Sequence, residues 1–228
     1  MTITHSGHFA SNASELRRTL QTASNRRAFT FATWMKSAAQ AAMLLGAGAS
    51  AGSQTFVWAG STSGRPFFQH DPGDYAAGPN LEPWPYLDQW VHLVISVDVD
   101  NPDVEERVRF WINGQRVARD PNLPMVAPGT DLYVGHTVTH ALGNKHTGGF
   151  DWRGWLAETY LLPGVTLDAD AFVARDDTNL RSIVYTGPVP PEAAYFRYLP
   201  GAPGQNGFPN SSDWTATGVD SDATTLPP

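Results

Sequence analysis

Between residues 90 and 99 the chain reads WVHLVISVDV, with Val91, Leu93, Ile95 and Val97 on one side of an extended backbone and His92, Val94 and Ser96 on the other. A two-residue period predicts a strand. The second face is mixed rather than charged, so it is expected to be partly covered. Further along, Val108, Phe110 and Ile112 alternate with Arg107, Arg109 and Trp111, up to Asn113-Gly114. That dipeptide tolerates positive φ at both positions and marks a tight hairpin. Residues 90–118 are therefore predicted as a three-stranded antiparallel meander.

Other runs carry weaker versions of the same signal. AFTFATWMK (28–36), QTFVWAG (54–60), TDLYVGHT (130–137) and GWLAETYLLPG (154–164) are predicted strands. AAQAAMLLGAGASAG (38–52) is read as a strand entering a glycine-rich turn, and it is too short and glycine-rich to span a bilayer. The proline-rich stretch from Pro66 to Gln89 is read mostly as a long loop. LDADAFVARDD (167–177) is expected to form one short helix with Asp168 as N-cap. From Gly187 the chain is rich in Pro, Gly, Ser and Thr. YFRYL (195–199) is a candidate last strand, with an extended arm after it.

Composition sharpens this to a fold class. The chain has 228 residues, 21 Gly, 18 Pro, 11% aromatics and only 16% charged residues, a balance that favours strands and turns over helices. The expectation is an all-β, antiparallel β-sandwich jelly roll over residues 1–186. A C-terminal arm, 187–228, would be irregular and pack on the domain or on a neighbouring subunit. With no cysteine, neither a disulfide framework nor a Cys-based zinc site is available. A net charge of −7 suits a soluble chain and disfavours nucleic acid as a partner. The N-terminal segment lacks an apolar signal region, and no membrane partner is expected.

The order SNRRAFTFATWMK, WVHLVISVD, RVRFWINGQRV, GGFDWRGWLAETYLLPGVTLDADAF resembles the laminin G-like, concanavalin A-like jelly-roll superfamily. More narrowly, TASNRRAFTFATWMK, LAETYLLPGVTLDADAF and the late NGFPNSSDWT are similar to laminin G-like proteins of tailed-phage structural gene clusters. The tail is shorter here than is usual in that group. The resemblance implies a non-enzymatic virion structural protein, made in the host cytoplasm and assembled into the particle. A capsid decoration or surface-spike protein is the leading form, with a carbohydrate-binding tail-fibre or receptor-binding module as the alternative. The implied partners are major capsid or tail proteins, further copies of the chain in a homo-oligomer, and a host surface glycan.

A retaining glycoside hydrolase needs two carboxylates roughly 5 Å apart. Glu105 and Glu106 are adjacent, so their side chains diverge, and Glu158 is flanked at two residues by Leu156 and Tyr160. No Gly-x-Ser-x-Gly elbow and no phosphate-binding lysine loop occurs. No catalytic residue and no cofactor are assigned. Asp98, Asp100 and Asp103, with Asn101, offer hard oxygen ligands for calcium, against the alternative of a solvated acidic turn. His136 and His140 would lie about 13 Å apart along a strand, too far to share a metal. Tyr75, Trp84 and Tyr86 are the candidate binding residues, since loop aromatics stack on sugar rings. The competing reading has them plugging the sandwich edge. Trp34, Trp58, Trp111 and Trp155, on strands, are expected to pack inside.

Overall fold

The computed structural model describes residues 3–10, 14–37, 42–59, 65–73, 75–81, 84–175, 179–190, 192–196 and 214–227. The strands among them are β1 (Ser6–Phe9), β2 (Glu15–Thr19), β3 (Ala28–Ser37), β4 (Ala42–Ser50), β5 (Ser53–Ala59), β6 (Pro66–Asp71), β7 (Tyr75–Ala77), β8 (Trp90–Asp98), β9 (Val108–Ile112), β10 (Gln115–Val117), β11 (Thr139–Leu142), β12 (Gly154–Pro163), β13 (Val173–Arg175), β14 (Leu180–Ser182), β15 (Ala194–Phe196), β16 (Thr215–Thr217) and β17 (Val219–Asp222). An eight-stranded antiparallel sheet runs β10-β9-β8-β3-β12-β1-β17, with β15 also on β12. A seven-stranded sheet runs β16-β2-β11-β4-β5-β6-β7. The two form the sandwich that the alternation predicts.

The main core lies between the sheets. From the eight-stranded side come Phe29, Phe31, Met35, Leu93, Ile95, Phe110 and Leu156, and from the other Leu16, Leu45, Val57, Phe68 and Leu142. The meander is as expected: β8, β9 and β10 pair in order, and Asn113 and Gly114 turn the hairpin at φ 51° and 74°.

The outer face of the eight-stranded sheet is apolar and therefore needs cover. Ala32, Trp34, Val94, Trp111 and Tyr160 pack there under Ala169, Phe172, Val173 and Tyr185. This explains the mixed second face of residues 90–99. The covering segment corrects the helix expected over 167–177. Ala169–Ala171 makes one 3-10 turn, β13 follows and pairs with β14, and residues 176–177 lie outside the described set. The side chain of Asp168 makes no capping hydrogen bond and instead pairs with Arg109 at 2.9 Å. Trp34 Nε1 donates to Ser182 Oγ at 2.7 Å and ties the cover down.

Three further expectations are corrected. Residues 130–137 form turns rather than a strand; Leu132 and Val134 are core plugs, and Gly135 sits at φ 79°. The stretch from Pro66 to Gln89, expected to be mostly loop, is corrected where it supplies β6 and β7. The described residues of the C-terminal part are not irregular throughout: β15 pairs with β12, β16 with β2, and β17 with β1, while Trp214 and Val219 enter the core. The final strands thus occupy edge positions of both sheets, and backbone groups that would otherwise face solvent are paired. Residues 197–199 of the candidate last strand and 206–213 of NGFPNSSDWT lie outside the described residues.

Candidate functional site

The loop aromatics turn inward. Trp84 is 6% exposed and part of the main core, which corrects its reading as a sugar-facing ring. Tyr86 leans edge-on against it, with ring centroids 5.0 Å apart. Tyr75 is half-buried and stacks on His70, 6.5 Å between centroids at 10°. Both tyrosines pack against the core.

The acidic loop is engaged internally. Asp100 accepts from the Gly129 amide at 2.8 Å and pairs with Arg27 at 3.3 Å; the amide bond first, then the guanidinium, holds its carboxyl below the usual range. Asp103 caps the 3-10 turn Val104–Glu106 by accepting from the Glu105 amide at 2.9 Å. Asp98 accepts from the Asn101 amide through its carbonyl at 3.2 Å. Among the described residues no group of three His, Asp, Glu or Cys side chains gathers as a metal site.

His140 is fully buried. Its Nδ1 donates to the Val138 carbonyl at 2.9 Å and its Nε2 accepts from the Gly135 amide at 3.2 Å, which fixes a neutral tautomer. His136 stacks on Tyr133, 6.1 Å between centroids.

The outward face of the seven-stranded sheet carries different chemistry. Partners in register share a face, so the pairings generate rows across the strands. One row reads Thr19, Thr139, Gly48, Gln54, Asp71; the next reads Arg17, Ala141, Gly46, Phe56, Gln69; a third reads Met43, Trp58, Phe67. The alternate residues Leu16, Leu142, Leu45, Ala47, Val57 and Phe68 belong to the core, which confirms that these rows point out.

A strap formed by residues 143–152 crosses this face, and two glycines make room for it. A Cβ on Gly46 would come within 3.1 Å of the His146 amide nitrogen, and one on Gly48 within 2.6 Å of His146 Cε1. The glycine-rich stretch is thus the end of β4, with the turn itself at Ala51-Gly52. The strap is pinned by Met43 N–H to the Phe150 carbonyl (2.7 Å), Trp152 N–H to Gly143 (2.8 Å) and Arg17 Nη1 to the His146 carbonyl (2.5 Å). Gly148, Gly149 and Phe150 all take positive φ at its crest. His146 is 6% exposed, and its ring nitrogens make no hydrogen bond of good geometry. Burial, then the neighbouring Lys145 charge, pushes its pKa down; the nearby Ser50 backbone opposes this weakly.

At the crest Phe150 is 52% exposed and stands edge-on to Trp58, 6.3 Å between centroids. Trp58 in turn lies 6.3 Å from Phe67 and 6.2 Å from Phe56. Lys145 sits over the Phe150 ring at 5.7 Å and Arg65 over Phe67 at 4.6 Å. Beside this aromatic patch, Gln54 Nε2 donates to the Ala51 carbonyl and to Asp71 Oδ2, both at 2.8 Å. Because both neighbours are acceptors, the amide orientation is fixed, and Gln54 Oε1 is left buried without a donor from the protein. Gln69 Nε2 lies 3.4 Å from Asp71 Oδ1. Half-exposed rings in line with the Gln69 amide and the Asp71 carboxylate can stack on a sugar face and read its hydroxyls, while the buried Gln54 holds Asp71 in place.

Sequence reasoning placed Trp58 inside; it is half-buried on this outer face, as Trp155 is on the other sheet. A signal was present. In SQTFVWA the alternate set Gln54, Phe56, Trp58 contains the amide, and in PFFQHD the set Phe67, Gln69, Asp71 is the polar one.

With this geometry in hand, the comparison with known families is decisive for the fold. A laminin G family model, described as the concanavalin A-like lectin/glucanases superfamily, matches residues 10–167. The chain belongs to that superfamily. Solved members of similar fold include a heptameric SAP-like pentraxin from Limulus polyphemus, 20% identical over 72% of this chain and 78% of that one, with a TM-score of 0.51. A putative carbohydrate binding protein from Bacteroides ovatus is 12% identical, with a TM-score of 0.60. The alignment covers 97% of this chain but 60% of that one. Domains LG4-5 of the mouse laminin alpha1 chain are 12% identical over 79% of this chain and 44% of that one, with a TM-score of 0.47. No curated protein matches the chain.

Proposed function

We propose that the chain is a non-catalytic glycan-binding module displayed on a tailed-phage particle, and that the outer face of the seven-stranded sheet is its binding surface. The observation that carries the glycan reading is the Phe150–Trp58–Phe67 patch, exposed at Phe150 and half-buried at the other two rings, in line with Gln69 and Asp71 on the same face. Superfamily membership is consistent with it, since lectins share this fold. A binding role without hydrolysis is favoured by the company of Asp71: its cross-strand neighbour is Gln54 and its same-face neighbour two residues away is Gln69, both amides rather than a second acid. Glu158 is 4% exposed at a bulge in β12, away from this face.

The virion placement is supported by the ordered motifs shared with phage structural proteins. A head decoration or spike and a tail-fibre component are both compatible with it. In either, capsid or tail proteins and further copies of the chain are the partners. Binding is expected to be independent of calcium, because Asp100 already accepts from the Gly129 amide and pairs with Arg27, and Asp103 accepts from the Glu105 amide.

A bacterial glycan array probed with wild type, Trp58→Ala, Phe150→Ala and the surface control Leu87→Ala tests the site. Wild type and Leu87→Ala should retain the same glycans with or without a chelator. Trp58→Ala should weaken binding at least tenfold, about 1.4 kcal/mol. Failure of wild type to retain any glycan, or unchanged binding by Trp58→Ala, overturns the reading. Mass spectrometry of purified particles tests the placement, and absence of the chain from them overturns it.

A further inference from the structure

The strap that carries Phe150 also carries a buried titratable group. The place a Cβ would take on Gly48 is 2.6 Å from His146 Cε1 and 2.8 Å from Gln54 Cβ, so the imidazole lies beside Gln54 against the bare backbone of β4. A neutral imidazole has one N–H and one lone pair, and here neither nitrogen has a partner of good geometry. A protonated ring would bury two N–H groups in the same place and add a charge.

The surroundings oppose that charge. Lys145 precedes His146 on the strap. From β2, Arg17 donates to the His146 carbonyl at 2.5 Å, and its own carboxylate partner is Glu15. β4 and β5 contribute no ionisable side chain. On β6, Asp71 is engaged by Gln54 Nε2 at 2.8 Å. His140 of β11 lies in the inward row with Ala47 and is neutral above about pH 4. Asp151, the carboxylate of the strap itself, accepts from Asn144 Nδ2 at 3.0 Å. Burial first, then Lys145 and more weakly Arg17, hold the imidazole below its ordinary value of about 6.5.

The strap is built to come away as a unit. Its turn is closed internally, by Lys145 N–H to the Gly149 carbonyl at 3.1 Å and Gly148 N–H to the Lys145 carbonyl at 2.7 Å. The Phe150 carbonyl, held by Met43 N–H, and the His146 carbonyl, held by Arg17, tie it to the sheet. Phe150 itself sits at φ 59°, a strained conformation for a bulky side chain, and its ring is 52% exposed.

We infer that His146 is a proton-operated latch: uncharged, it seats the strap on β4 and holds Phe150 beside Trp58, and in mild acid its protonation releases the strap and dismantles the glycan site. The consequence for binding rests on the glycan reading of that face; the latch itself does not. The seated strap refuses a proton that the released strap accepts. Opening is therefore independent of pH well above 6.5 and rises as pH falls through that value, by at most about tenfold per pH unit until the seated ring itself titrates.

Hydrogen exchange over residues 143–152 at pH 7.5 and 5.5, scaled for the intrinsic pH dependence of exchange, tests the latch without a ligand. In wild type, strap opening should rise about three- to tenfold more than that of the β8 amides, which report global unfolding. In His146→Gln and His146→Leu, which cannot titrate, that excess should vanish. In wild-type NMR spectra the His146 ring should titrate below about 6.5, and the Gly149 and Phe150 amides should shift with the same midpoint. No excess exchange in wild type, an equal excess in both variants, or strap amides that ignore the His146 titration overturns the latch. Any glycan retained by the array should bind wild type at least threefold more weakly at pH 5.5 than at 7.5, and His146→Leu equally at both. Unchanged wild-type affinity beside a released strap overturns its control of the site. A blank array overturns the glycan reading alone, and the exchange data still decide the latch.

Discussion

Replacing Gly48 by alanine asks whether the strap is seated on β4 as described. The added methyl would meet His146 Cε1 at 2.6 Å, the Ser53 carbonyl at 2.7 Å and Gln54 Cβ at 2.8 Å. Two of these neighbours belong to the sheet itself, so moving the imidazole alone does not relieve the crowding. Overpacking of this kind costs about 1–3 kcal/mol. For a domain of this size each kcal/mol lowers the melting temperature by about 2–4 °C, so a loss of about 2–12 °C is expected. Gly52→Ala is the matched control: it lies in the adjacent turn, a Cβ there meets nothing within 4 Å, and its φ is not in the left-handed region. It should be neutral or stabilise by about 0.4–1 kcal/mol. Thermal unfolding measures the cost, and amide hydrogen exchange over residues 143–152 localises it. Gly48→Ala should raise exchange across the strap, and Gly48→Ala/His146→Ala should recover only part of the lost stability. If Gly48→Ala melts with Gly52→Ala and strap exchange is unchanged, the strap does not lie on that glycine.

Two further outcomes follow from the same packing. His92, against Trp34 with ring centroids 5.2 Å apart, is pushed by burial down to about 3, and His140 down to about 4. In the unfolded chain both titrate near 6.5, so at lower pH the unfolded state takes up protons that the folded state refuses. Stability should be flat above about pH 6.5 and fall as pH drops towards 4, by up to about 1.4 kcal/mol per pH unit for each imidazole. Urea midpoints at pH 7.5, 6 and 5 check this, and an unchanged midpoint between 7.5 and 5 sinks it. Ending the chain at residue 213 removes β16, β17, Trp214 and Val219, which uncovers β1 and β2 and part of the core. The truncated chain should melt at least 10 °C lower or aggregate, by the opened-edge argument; full-length stability after truncation would show that the C-terminal strands are ornaments on a complete sandwich.

Most of the eight-stranded sheet is readable because its strands have long, regular alternation. Val91 to Val97 and Val108 to Ile112 each place one full set of apolar side chains in the core. The short elements are not readable in that way. β2 is Glu-Leu-Arg-Arg-Thr, where only Leu16 is apolar, and β16 is Thr-Ala-Thr; β2 is a strand because β11 and β16 pair with it on either side, and β16 because it pairs with β2 at the sheet edge. Residues 167–175 carry a capping residue and helix-friendly alanines, yet the need to cover Trp34 and Tyr160 draws Phe172 and Val173 down and leaves only one turn. The candidate site failed to emerge for a related reason. A tryptophan between Val57 and Ala59 has the same local pattern whether its face is the core or the outside. Only the amides sharing its face, Gln54 and Gln69, distinguish the two.

That distinction also explains why the two outer faces differ in what they can do. On the eight-stranded sheet the outward set includes Ala32, Trp34, Val94, Trp111 and Tyr160, which form one apolar cluster. Such a face lowers its free energy by recruiting apolar cover from its own chain, and Val165, Leu167, Ala169, Phe172, Val173 and Tyr185 provide it. On the seven-stranded sheet the outward set alternates amides, a carboxylate, glycines and rings, which offers too little continuous apolar area to hold a similar layer. The strap gains its place there through backbone hydrogen bonds and glycine clearance instead of a second core. The division of polar residues between the sheets therefore decides which face carries a second apolar layer and which carries the strap.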